Sequence, residues 1–248
     1  MSYPSKIYEK LLKNNKFFIA ILVVLEVAVL VLYRFFYQVQ RYDATAVAAN
    51  PSVNVWFYPS YQDVNVMMLI GFGFLMTFIK FGSWQALSYT FCINAIVVQY
   101  YLLWSSFWTK VMMNRWGETT VYVKENNFTA ASYSVASILI AFGAVLGRVG
   151  PYQLLLMAMI QIIFYALNEV ICYELIHIYD VGGSTVIHTF GAYFGLGASL
   201  ILGIFKKPGP DVKVEQNKNS VTFAVIGTFF LWMFWPSFNA GFFPQAAQ

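Results

Sequence analysis

Two ionisable residues stand where chemistry is most readily imagined. Asp180 and His188 bracket the start of the run Asp180-Val-Gly-Gly-Ser-Thr-Val-Ile-His188, which continues through Thr-Phe-Gly-Ala-Tyr-Phe to Gly195. In a helix that rises about 1.5 Å per residue, His188 lies roughly 12 Å deeper than Asp180. If the helix crosses a bilayer, that depth is close to its middle, where an ionisable side chain is costly and usually marks a pathway through the bundle interior. The competing reading is a neutral histidine hydrogen-bonded to a neighbouring helix. Asp180, at the helix entrance, is suited to accepting hydrogen bonds from the free backbone N–H groups there. The second histidine, His177, falls in the loop just before Asp180 and is assigned to solvent or a vestibule.

The elements that must position these residues are membrane helices. Of 248 residues, 59% are hydrophobic and only 10% are charged, and the mean hydropathy is +0.61. A soluble domain carries roughly 25% charged residues, so a soluble fold is excluded. A bilayer crossing needs about 20 mostly apolar residues. Seven runs of that kind appear, at 17–38, 64–81, 84–108, 130–148, 151–176, 184–205 and 221–241. The expected fold is therefore all-α, a polytopic transmembrane bundle forming a single membrane domain, with residues 1–16 as a basic cytosolic N-terminus. The first run is too long for a signal peptide and lacks a small-residue cleavage site, which makes it a retained helix.

Basic residues orient the bundle, because they stay on the cytoplasmic side of short loops. One side holds Lys6, Lys10, Lys13, Lys16, Lys80, Arg148, Lys206, Lys207, Lys213 and Lys218, and the other Arg34, Arg41, Lys110, Arg115 and Lys124. Ten against five places the N-terminus inside and, after seven crossings, the C-terminus outside. The net charge of +4 reflects this topology, and no nucleic-acid partner is expected from it. An inside N-terminus also argues against a seven-helix receptor. Nothing suggests an enzyme or a cofactor: there is no nucleophile with its base, no cluster of metal ligands and no phosphate-binding glycine loop.

Cys92 and Cys172 lie in apolar runs and read as small buried side chains. The pairs Gly143/Gly147 and Gly191/Gly195 have the spacing that lets helix backbones approach closely in lipid. The sequon at Asn127 abuts the fourth run, where glycosylation is disfavoured.

The string DVGGSTVIHTFGAYFGL at 180–196 resembles the Rh glycoprotein signature on the helix bearing the first pore histidine of the ammonium transporter family. Collinear similarities follow in YPSYQDVNVMMLIGFGFLMTF at 58–78, AFGAVLGRVGP at 141–151, the pair Asn168-Glu169, and LWMFWPSFNAG at 231–241. The resemblance implies an ammonia channel of the Rh branch, usually a homotrimer, with carbon dioxide as a second proposed substrate. Its fold has two inverted halves preceded by an extra N-terminal helix. This chain would then hold the extra helix, the first half and the opening helix of the second, a partial inverted-repeat fold.

Transferred by that resemblance, His188 is the first pore histidine and Asp180 the aspartate supporting its helix. Glu169 and Asn168 fall near the outer vestibule, and Tyr133 and Phe238 at the paired aromatic gate, where the family usually has two phenylalanines. The tyrosine adds a hydroxyl to an apolar gate. The family's second pore histidine lies beyond these residues, and His177 cannot replace it from the membrane surface.

Three readings of that gap stay open. The chain is a truncated channel, the second half is a separate complementary chain, or the first half serves as an accessory structural subunit among other membrane subunits. The break in a loop at 239–248 favours truncation or splitting. The location expected is an integral multi-pass one, first in the plasma membrane, with an organellar membrane, including the mitochondrial inner one, as the alternative.

Overall fold

A computed structural model describes residues 5–39, 57–79, 83–117, 120–205 and 216–240. Arg41, Lys80, Lys206, Lys207 and Lys213 of the orientation count, and residues 241–248, lie outside this set. The chain divides into two compact units. The first unit contains helix α1 (Ser5–Phe36) and a short parallel pair of strands, β1 (Tyr37–Val39) with β2 (Val121–Val123), in which Tyr37 stands beside Val121. The first apolar run, expected to stay helical to residue 38, therefore ends at Phe36 and continues as strand. Tyr37 and Val39 are residue types that suit a pleated strand.

The second unit is an all-helical bundle. Helix α2 covers 57–78 in four sections: a regular turn set Phe57–Val66, a wider π-helical stretch Met67–Phe72, Gly73–Leu75, and a tight turn Met76–Phe78. It begins seven residues before the apolar run at 64–81, because the polar Ser60, Tyr61, Gln62 and Asp63 at its start are helical too. Helix α3 is Ser83–Met112 and α4 is Glu125–Val145. The start of α4 lies ahead of 130 because the Asn127 side-chain oxygen accepts the Lys124 backbone N–H at 2.8 Å, closing the first turn. Its end falls at Val145, ahead of the expected 148, with Leu146 extended and Gly147 at φ 74°.

Helix α5 runs Pro151–Val170 and continues as a π-helical turn Ile171–Leu175. Proline suits its first position, where no N–H is needed. Helix α6 opens with the π-helical turn Ser184–Thr189 and proceeds through Phe190–Phe205, and α7 is Lys218–Ala240. Among the described residues, six helices are long and apolar enough to cross a membrane: α1 from Lys16, α3, α4 from Asn126, α5 with its π turn, α6 to Gly203, and α7. The polar residues at the start of α2 dilute its apolar run, which separates it from those six.

Small residues set the closest helix contacts. A Cβ placed on Gly191 would lie 2.6 Å from the Ser137 carbonyl oxygen, and one on Gly195 would lie 2.9 Å from Ala141 Cα, so α6 rests directly on α4. The expectation for Gly143 and Gly147 fails. Gly143 would bring a Cβ no nearer than 3.7 Å to Met76, and Gly147 sits beyond the helix end in a left-handed turn. Gly227 of α7 instead faces the α2 backbone at Gly71 and Leu75, a contact that four-residue spacing does not reveal.

Candidate functional site

The site forms where α3, α4, α5, α6 and α7 meet in the second unit. Gly182 and Gly183, at φ 77° and 69°, turn the chain into α6 through a conformation that side chains with a Cβ disfavour. The turn brings Asp180 under the helix start. Its carboxylate accepts the Ser184 hydroxyl at 2.6 Å and the Thr185 and Val186 N–H groups at 2.9 and 2.8 Å. These bonds satisfy donors that a helix start leaves without partners. Asn168 of α5 braces the same turn, donating to the Val186 carbonyl at 3.5 Å and accepting from Cys172 Sγ at 3.6 Å.

The turn presents His188 to α7. Its ring centroid lies 5.7 Å from Trp235 and 5.9 Å from Phe238, and its Nε2 is buried with no hydrogen-bond partner among the described residues. Phe238 in turn meets Tyr133 of α4, with ring centroids 4.5 Å apart at 64°, and both residues are buried. The Tyr133 hydroxyl donates to the Phe238 backbone carbonyl at 2.6 Å.

Beside that ring pair lies a cavity of about 460 Å³. Tyr133 and Phe238 line it, together with Tyr101 of α3, Tyr165 and Glu169 of α5, and Asp180. Glu169 accepts a 2.6 Å hydrogen bond from the Tyr101 hydroxyl. The cavity's charged lining residues among those described are acidic, Glu169, Glu174 and Asp180, and such a lining attracts cations. His188 is not part of the lining; Phe238 touches both the cavity and the imidazole. His177 stays apart, exposed in the loop with φ 57° and a ring nitrogen 3.2 Å from the Tyr173 carbonyl.

Known proteins share this chain's sequence and fold. The family model described as "Ammonium Transporter Family" matches residues 22–248. The chain belongs to that family. Its relatives place it on the Rh branch: it is 43% identical over 221 residues to "Ammonium transporter Rh type C" of Pongo abelii, covering 87% of this chain and 45% of that protein. It is 39% identical over 241 residues to "Ammonium transporter Rh type A" of Canis lupus familiaris, covering 93% of this chain and 56% of that protein. In fold it is similar to Nitrosomonas europaea Rh50, a solved structure described in connection with conduction by the Rhesus protein family of channels. The TM-score is 0.68 at 30% identity, over 79% of this chain and 51% of that one. The chain spans about half the length of these relatives.

Membership of the Rh branch makes this an integral, multi-pass membrane protein of a transporter family. It also gives a frame for residues that sequence reasoning passed over. Tyr101 reaches Glu169 from 68 positions away, and the Ser237 hydroxyl, beside Phe238, donates to the Asp63 carboxylate of α2 at 2.6 Å. Trp235 completes the aromatic surface under His188, stacked on Phe238 at 5.2 Å. Four aromatic residues within LWMFWPSF were the available signal for that surface; nothing local pointed to Tyr101 or Asp63.

Proposed function

We propose that this chain supplies the outer vestibule, the aromatic gate and one pore histidine of a channel that conducts neutral ammonia. The observation that carries this reading is that Phe238 joins an acidic cavity, the Tyr133 ring and the His188 imidazole, whose Nε2 is buried. Cations would collect in the cavity near Glu169. An ammonium ion entering the aromatic section would lose hydration worth many kcal/mol, whereas ammonia loses only a few hydrogen bonds. The ion therefore gives its proton to the vestibule water and passes as ammonia. Beyond the rings, a neutral imidazole offers one donor and one acceptor without a charge. Carbon dioxide is likewise neutral, and the same apolar section would admit it as a second substrate.

The outward side of α6 and α7, the helices that hold His188 and Phe238, carries exposed Leu196, Leu200, Trp232 and Met233. In the conducting form we propose that complementary helices cover it, from further residues or from another chain, within a homotrimer of such units in the plasma membrane. That exposed apolar face also favours a second reading, in which unrelated membrane subunits cover it and the chain is structural. Ammonium-driven pH change inside vesicles holding the chain together with those complementary helices separates the two. The channel reading expects luminal alkalinisation well above that of protein-free vesicles, and equal rates would leave the structural role.

A further inference from the structure

The end of α7 that carries Phe238 is only partly held by its own helix. Pro236 has no N–H to give to the Trp232 carbonyl. Phe238 lies in the last described turn of α7 (Lys218–Ala240). Side chains from two other helices fasten this segment: Asp63 of α2 accepts the Ser237 hydroxyl, and Tyr133 of α4 donates to the Phe238 carbonyl, each at 2.6 Å. The second bond runs from one ring of the gate to the backbone of the other. A phenylalanine at 133 could still stack on Phe238 but has no donor to give.

We propose that Tyr133 is a positioning residue whose hydroxyl fixes the Phe238 ring across the path and thereby limits the size of the neutral amine admitted. This inference rests on the channel reading above. With the Phe238 backbone tied down, the ring moves only about its side-chain bonds, and a small solute passes with little displacement. A larger amine has to push the ring and its backbone aside together, which breaks the Tyr133 bond. Opening therefore costs the net free energy of that bond.

The test is vesicle permeability to ammonia and to methylamine, for the native chain and for Tyr133→Phe, each reconstituted with the complementary helices that complete the path. The methylamine-to-ammonia ratio is expected to rise on the order of three- to tenfold, the equilibrium weight of one net hydrogen bond. A merely destabilised protein would lose both fluxes in proportion. An unchanged ratio in a variant that still conducts ammonia overturns the proposal. In a Phe238→Ala background, Tyr133→Phe should leave the ratio as it was; a further rise there means that the hydroxyl acts elsewhere and also overturns it. A Tyr133→Phe chain that no longer folds would make the hydroxyl a stability element and count against the proposal equally. Absence of ammonia flux in the native chain with those complementary helices present is a separate result: it removes the channel reading and this inference with it.

Discussion

Helix α4 and the α6–α7 face are built on opposite terms. Of the membrane-length part of α4, 78% is buried, against 22% for α6 and 17% for α7. Ala131, Ser132, Ser134, Ala136, Ser137 and Ala141 of α4 are all buried, and such small residues let neighbouring backbones close in, whereas α7 turns Phe229, Trp232 and Met233 outward. The Tyr133/Phe238 pair draws one ring from each region. Tyr133 stands on the enclosed helix, while Phe238 and His188 stand on helices with an open side. The packed helix anchors one ring, and the half-buried His188 ring stands on a helix that calls for a further wall. A polar ring facing hydrocarbon costs a few kcal/mol by membrane-insertion scales, so that wall has an energetic reason to exist.

The largest effect that would sharpen this contrast lies at the seam between the two regions. Gly191→Ala puts a Cβ 2.6 Å from the Ser137 carbonyl oxygen and is expected to destabilise the bundle by about 3 kcal/mol, as overpacking does. Gly197 on the same helix faces open space. Gly197→Ala should be neutral or stabilise by up to about 1 kcal/mol through helix propensity. Thermal unfolding in detergent, followed by loss of the monodisperse peak, reads both; equal melting shifts would dissolve the distinction between seam and open face.

Asp180→Ala removes the acceptor of three hydrogen bonds at the start of α6 and is expected to cost roughly 2 kcal/mol. Asp180→Asn, which keeps an acceptor, should cost less. Backbone hydrogen exchange at Thr185 and Val186 is the direct readout. Unchanged protection in the alanine variant would show that the glycine turn and Asn168 hold the helix start without the carboxylate.

The part of this molecule legible in the sequence is the part governed by local rules. Apolar runs located the membrane-length helices because lipid forces every backbone polar group to pair within its own segment. The residue types at Asp180 and His188 marked the helix entrance, but helical rise does not set the ring's depth, because Gly182 and Gly183 form a turn and the helix starts only at Ser184. The resemblance put Tyr133 and Phe238 at one place, and their rings are in contact.

What local rules do not govern stayed hidden. The start of α2 at Phe57 was missed because its polar residues look like loop until α4 and α7 are seen packed against it. The Asp63–Ser237 and Tyr101–Glu169 bonds join positions 174 and 68 residues apart, and no spacing encodes them. Gly143 and Gly147 carry the packing pattern without the packing, because a small residue permits a close approach but does not supply the neighbour.

The central claim is that the path through this bundle runs past His188. Ammonia flux into reconstituted vesicles, compared between the native chain, His188→Leu and Tyr193→Leu, tests it most directly. Tyr193 lies five positions on along the same helix and is 72% exposed. The account predicts that His188→Leu, with no donor or acceptor behind the rings, changes flux by about tenfold or more, the kinetic weight of one polar contact to the moving solute. Tyr193→Leu should leave flux close to native, with both variants still assembled. Equal flux in all three proteins would contradict the claim.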